Sequence, residues 1–234
     1  MPQLIAHPLG QFWVWPDSVG RDLMEGGFWD EHLRPTLDRG DPAGWALDLG
    51  ASTGFLTTYL ARRYAHVLAV EAHPTTYQLL LKTLALNELL EQVTPYHCAA
   101  YDQVGFLRMC TEGEIGWTLP SQTDLDGAVC ASGVAFCDGT TGLVVPALPI
   151  DALVPPTVAV SLIKCDVQGC DLRALRGLTH TLARCRPLVV FEYESISADW
   201  HHDPLEDYFT FFHALQYRVT QVHPNFQDYL AESQ

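Results

Sequence analysis

The stretch Asp48–Gly54 (D-L-G-A-S-T-G) and Glu71, 23 positions after Asp48, are the residues whose types and spacing most directly suggest chemistry. A glycine-bearing turn between a strand and a helix lets backbone approach a ligand closely. An acidic side chain at the end of the next strand is placed to accept hydrogen bonds from both ribose hydroxyls of an adenosine-containing cofactor. Ser52 stands where a G-x-G-x-x-G dinucleotide loop has its middle glycine. A pyrophosphate needs close approach at that point, so the loop fits a nicotinamide dinucleotide less well. Asp48, one turn before the loop, suits a cationic amine or an ordered water.

A second set of residues could move a proton. Asp166 ends a predicted strand, at the sheet edge where open α/β folds bind ligands. Glu192 and Glu194 flank Tyr193 at the end of P-L-V-V-F-E-Y, so alternation turns both carboxyls to one face. His201 and His202 follow Trp200 in a predicted loop, where a histidine can take a hydroxyl proton near neutral pH. The same H-H-D triplet reads more readily as a solvated loop. Asp171 reads as a charge or cap at the start of a helix. Lys164, one of two lysines, shares a strand face with Asp166, as a site residue or as half of an ion pair. No H-E-x-x-H is present and the cysteines are scattered, so no metal site is expected.

These side chains need a scaffold. Trp45–Gly50 reads as an apolar strand, Thr53–Arg63 as a helix and His66–Glu71 as a second strand. Pro74 opens a helix with Tyr77, Leu80, Leu81 and Leu84 on one face. Val93–Cys98 is a third strand, and Val104–Met109 is extended. Residues 110–145, glycine-rich and without periodicity, form an irregular excursion. Ser161–Asp166 (strand), Asp171–Ala183 (helix) and Pro187–Tyr193 (strand) follow, then a helix near 204–215 and strands near 217–222 and 226–231. The first 44 residues are turn-rich and aromatic, with a short strand at Gln11–Trp15 and a short helix at Phe28–Leu37. This alternation predicts an α/β fold whose largely parallel sheet is covered on both faces. With no repeat or linker, a single domain over residues 1–234 is expected.

L-D-L-G-A-S-T-G-F, V-L-A-V-E-A-H-P and L-I-K-C-D-V-Q-G-C-D resemble the motifs of FkbM-type S-adenosylmethionine-dependent methyltransferases. The family's usual forms are D-x-G-A-N-x-G, F-E-P-x-P and I-K-I-D-V-E-G-x-E. The likeness covers about residues 45–193 and continues in L-R-G-L and R-P-L-V-V-F-E. It implies the class I methyltransferase fold, a Rossmann-like, mostly parallel seven-stranded sheet with helices on both faces and an antiparallel C-terminal strand. It also implies S-adenosyl-L-methionine as cofactor. Asp48, Gly50 and Gly54 would lie at its methionine end, with Ala51, Ser52 and Thr53 completing the loop. Glu71 would meet the ribose, and Ala99 and Ala100 the adenine. Asp166 would stand where cofactor and substrate meet. Ser52 replaces the usual Asn, Ala72 the usual Pro, and Gln168 the Glu of D-V-E-G. The last change removes a carboxylate that could act as base or metal ligand.

Methyl transfer from a sulfonium is an in-line displacement, so positioning matters most. A hydroxyl acceptor benefits from a base, for which Asp166, Glu192, His201 and His202 are the candidates. The formal charge of −15, from 13 basic and 28 acidic residues, argues against nucleic acid and anionic membranes as partners. Two-thirds of that excess lies after residue 108, where the resemblance puts much of the acceptor pocket. A neutral or cationic acceptor is therefore expected, although the acidity reads equally as a device for solubility, and the resemblance implies a small molecule of secondary metabolism methylated on oxygen. Seven cysteines without a C-x-x-C pair read as free thiols of a cytoplasmic protein. A monomer and a homodimer both fit. The rival readings are N- or carboxyl-methylation, an NAD-dependent oxidoreductase and a catalytically silent cofactor-binding protein.

Overall fold

The computed structural model describes residues 1–110, 135–136, 143–193 and 203–234. Its centre is a seven-stranded sheet. Five strands, β3 (Trp45–Leu49), β4 (His66–Glu71), β5 (Val93–His97), β10 (Val160–Cys165) and β11 (Leu188–Glu192), run parallel, and all but the edge strand β5 are mainly apolar. β12 (Tyr217–Gln221) and β13 (Asp228–Ser233) complete the order β12-β13-β11-β10-β3-β4-β5. The last strand, β13, inserts antiparallel between β11 and β12. This is the mostly parallel sheet with an antiparallel C-terminal strand that the motifs imply.

Both sheet faces are covered, so the central strands are buried throughout. Ala46, Val67, Ala69, Leu162 and Val190 face a cluster built with Phe12, Leu33, Leu37, Phe55, Tyr59 and Leu80. These come from the N-terminal segment, from α3 (Phe55–Ala61) and from α4 (Pro74–Leu86). Leu47, Leu49, Ile163, Cys165, Val189 and Phe191 face the other way, against α5 (Asp171–Arg176), α6 (Thr179–Cys185) and α7 (Leu205–Ala214).

Register fixes the chemistry. Lys164 lies opposite Asp48 on β3 and Val190 on β11, and Glu192 lies opposite Asp228 on β13. Since alternate residues share a face, Asp48, Glu71, Lys164, Asp166, Glu192 and Asp228 all project to the face covered by the N-terminal segment. The four parallel strands that carry them end at this edge and β13 starts there, the edge that open α/β sheets use for ligands.

Three expectations need correction. The helix expected over Asp171–Ala183 is two helices, divided at Gly177, where a Cβ would stand 2.0 Å from the carbonyl oxygen of Tyr101. The Asp151 carboxylate takes the freed N–H groups of His180 and Thr181, each at 2.8 Å, and so stabilises the second start. The helix expected at Phe28–Leu37 is shorter: a 3-10 turn at Glu31–Leu33 runs into α2 (Arg34–Leu37). The N-terminal segment is also more ordered than its turn-rich composition suggests. β1 (Gln3–His7) pairs with β2 (Gly10–Val14), and α1 (Ser18–Met24) is capped by Asp17, which accepts from Gly20 N at 2.8 Å.

Between β5 and β10 a small second sheet is described, in the order β6 (Ala99–Ala100), β9 (Leu143–Leu148), β7 (Gly105–Cys110), β8 (Ala135–Phe136). Most of the glycine-rich excursion lies outside the described residues. Among the described residues, no helix is long and apolar enough to cross a membrane.

Candidate active site

Glycine and left-handed backbone shape the turn after β3. Gly50 has φ 82°, and a Cβ there would stand 1.8 Å from the carbonyl oxygen of Asp166. Gly50 and Ala51 both donate to the carbonyl of Val70 at 2.9 Å, which ties the turn to β4. Ser52 has φ 49°, a region that Asn tolerates better than Ser, and this accounts for the Asn of the usual motif. Gly54, at φ 93°, starts α3.

A cavity opens above this turn. Gly50, Ala51, Ser52 and Thr53 line one side, with Glu71 and Ala72 at the end of β4. Cys98, Ala99 and Ala100 form a small apolar wall. Glu71 binds the turn: Oε2 accepts from Ser52 N at 2.9 Å and Oε1 from His73 N at 2.7 Å. Burial pushes its carboxyl up to about 7 despite these bonds. Each oxygen keeps a lone pair for a further donor.

Asp48 differs from expectation. It is wholly buried beneath the turn and is not part of the cavity wall. Its Oδ2 accepts from Thr57 Oγ1 at 2.6 Å, and its Oδ1 has no hydrogen-bond partner among the described residues. Register turns it toward Lys164 rather than toward a ligand. Burial raises its pKa, and the Lys164 ammonium opposes that rise. Gly54, likewise, shapes the loop without lining the cavity.

The family model of the methyltransferase FkbM domain matches residues 48–219. The chain belongs to the FkbM methyltransferase family. A structure of methyltransferase FkbM from Methylobacillus flagellatus KT is 17% identical, with TM-score 0.56 over 82% of this chain and 44% of that one. This chain thus spans less than half the length of that relative. A precorrin-8w decarboxylase from Methanobacterium thermoautotrophicum (13% identity, TM-score 0.51) is matched over 89% of this chain and 90% of its own. A proposed rRNA methylase from Clostridium thermocellum (9%, TM-score 0.51) is matched over 93% and 95%. At such identities the likeness concerns the fold alone. No curated protein matches the chain.

In this FkbM methyltransferase the far end of the cavity is acidic. Asp30, Asp166, Glu192 and Asp228 line it around one ammonium, Lys164. Lys164 is 4% exposed and donates to Asp166 Oδ2 at 2.8 Å. Burial works against its charge, but Asp166 and Asp48 outweigh that and hold it protonated. Burial likewise pushes Asp166 up, yet Lys164 and the Gln168 amide hold it below the usual carboxylate range.

Gln168, the departure from the family's Glu, donates to Asp166 Oδ1 at 2.6 Å and reaches Glu192 Oε2 at 3.5 Å. A glutamate there would add a third carboxylate beside those two; the amide links them instead. Two carboxylates demand that the nitrogen face them, so the carbonyl oxygen is left without a partner among the described residues. Among the described residues no group of three or more His, Cys, Asp or Glu is arranged to hold a metal ion.

Asp171 is a loop brace. Its carboxylate accepts from Val167 N and Gly169 N, both at 3.1 Å, and burial pushes it up to about 7. His201, His202 and Glu194 lie outside the described residues. Reasoning from sequence missed Asp30 and Asp228. Asp30 precedes E-H-L as any helix cap would, and Asp228 reaches the site only through the antiparallel pairing of β13.

Proposed function

We propose that the protein transfers a methyl group from S-adenosylmethionine to a hydroxyl of a small neutral or cationic acceptor. The observation that carries this reading is one cavity with two chemically different ends. At one end Glu71 offers free lone pairs to a ribose, and Ala99 and Ala100 offer a flat apolar wall to an adenine. The turn Gly50–Thr53 would hold the methionine portion. When bound, the cofactor supplies an electrophilic methyl group on a sulfonium. The protein's own contribution is to hold the acceptor in line and to exclude water.

The other end selects the acceptor. Asp30, Asp166, Glu192 and Asp228 are hydrogen-bond acceptors, so they favour a molecule rich in O–H or N–H donors. They repel phosphates and carboxylates, which argues against an RNA or carboxyl-bearing acceptor. Asp166 and Glu192, bridged by Gln168, orient the acceptor in this reading.

The test uses S-adenosylmethionine labelled in its methyl group and a metabolite extract divided by ion exchange. Label should enter the neutral or cationic small-molecule fractions, in a linkage that survives alkali as a methyl ether does. Label in RNA, in anionic fractions or in an alkali-labile ester would refute the assignment, and N-methyl products would shift it to nitrogen.

A further inference from the structure

Asp30 occupies the N-cap position of the turn Glu31–Leu33 but makes no capping hydrogen bond. An aspartate there ordinarily accepts from the first free N–H groups of the turn. Here its backbone is left-handed, at φ 61° and ψ 38°, and its side chain lines the cavity across from Lys164 and Asp166. Aspartate tolerates this conformation better than most residues, and its neighbours hold it there. Phe28 packs edge-on against Phe55 and Tyr59 at 5.1 and 4.8 Å. His32 stacks on Phe226 at 3.7 Å and bonds Asp228 at 2.6 Å. Leu33 is buried in the core. Asp30 is thus clamped on both sides, in the wall of the cavity that Lys164, Asp166 and Asp228 also line.

We infer that Asp30 is a catalytic base that accepts the proton of the acceptor hydroxyl. The inference rests on the proposed methylation of oxygen. As the acceptor oxygen bonds to the methyl carbon, its proton passes to a carboxylate oxygen of Asp30. The electron pair of the broken carbon–sulfur bond stays on sulfur. The products are a methyl ether, S-adenosylhomocysteine and protonated Asp30, which returns its proton to water.

Asp166, Asp171 and Asp228 are worse placed for this task, the last because its Oδ2 is bonded to His32 Nε2 at 2.6 Å. Asp166 has one oxygen on Lys164 and the other on Gln168, and is held ionised, which makes it a weak base. Asp171 braces backbone. Burial pushes Asp30 up to about 7; Asp166 and Asp228 push the same way, while Lys164 and His32 oppose them. A base is most effective when its pKa is near the working pH.

The test compares wild type, Asp30→Asn and Asp30→Glu in the labelled-methyl assay, with S-adenosylhomocysteine affinity measured on each. Asp30→Asn should slow transfer by about 100-fold or more and abolish the fall in rate on the acid side of the profile. Its affinity for S-adenosylhomocysteine should stay within about threefold, and Asp30→Glu should recover part of the rate. Independently of turnover, carboxyl-¹³C aspartate labelling with S-adenosylhomocysteine bound should show a resonance titrating near neutral pH that Asp30→Asn removes. An unimpaired Asp30→Asn, or a rate loss matched by lost affinity, would overturn the base role alone, as would an Asp30 carboxyl titrating in the ordinary range. Wild type that labels nothing would overturn the methyltransferase reading together with it.

Discussion

Gly50→Ala should cost about 3 kcal/mol or more and abolish binding of S-adenosylhomocysteine. The left-handed backbone at Gly50 alone costs an L-residue about 1–2 kcal/mol. The added methyl would also overlap main chain, 1.8 Å from the Asp166 carbonyl oxygen and 2.9 Å from its carbon. Neither strand end can yield freely. Asp166 N donates to Leu49 O at 3.0 Å, and Gly50 N is tied to Val70 O. Relief therefore means lifting the turn off the sheet or pushing Asp166 from Lys164, and either breaks the site. Thermal unfolding should shift down by about 6–12 °C. Gly105→Ala is the control, since a Cβ there meets nothing within 4 Å. A Gly50→Ala protein as stable as that control would show that the turn does not pack as described.

Lys164→Met should destabilise the protein by about 3–5 kcal/mol at neutral pH, because it strips the partner from buried carboxylates. Methionine matches the chain in length, so the loss is of charge more than of packing. Asp48, wholly buried with one oxygen unbonded, and Asp166 would both lose their cation. Their folded-state pKa values would rise above the unfolded ones. A carboxylate so shifted costs stability progressively as pH rises from its unfolded to its folded value. The variant should therefore recover part of its loss near pH 5, where the pH is less far above the unfolded carboxyl pKa of about 3.9 and ionisation draws less strongly on the unfolded state. Adding Asp166→Asn should also recover part of it. Equal losses at pH 5 and pH 7, measured by denaturant unfolding, would contradict this account of the cluster.

The parts of the fold legible in sequence were those with strong local pattern. β3, α3 and β4 are each strongly apolar, and the Gly50–Gly54 turn separates the first two, so no tertiary knowledge was needed. Glu71 was legible for the same reason, as a charged residue ending an apolar strand. The burial of Asp48 beneath the turn was not legible, because it follows from strand register, which sets Asp48 opposite Lys164. The break at Gly177 was hidden because its causes, the Tyr101 backbone and the Asp151 cap, are distant in sequence. Asp30 was illegible in principle. Cap-forming and cavity-facing aspartates look alike until the backbone angle and the anchors at Phe28 and His32 are known.

The central claim is that the cavity holds an adenosyl sulfonium cofactor through Glu71. Calorimetric titration with S-adenosylhomocysteine and with NAD, on wild type and Glu71→Ala, tests it most directly. S-adenosylhomocysteine should bind with release of protons at pH 7, because ribose hydroxyls donating to Glu71 favour its ionised form and draw down a carboxyl otherwise near 7. Glu71→Ala should weaken that binding about 100-fold, as expected from losing two hydrogen bonds to a charged group, and should abolish most of the proton release. NAD should not bind. Binding of NAD in preference to S-adenosylhomocysteine, or S-adenosylhomocysteine binding that is indifferent to Glu71, would contradict the account.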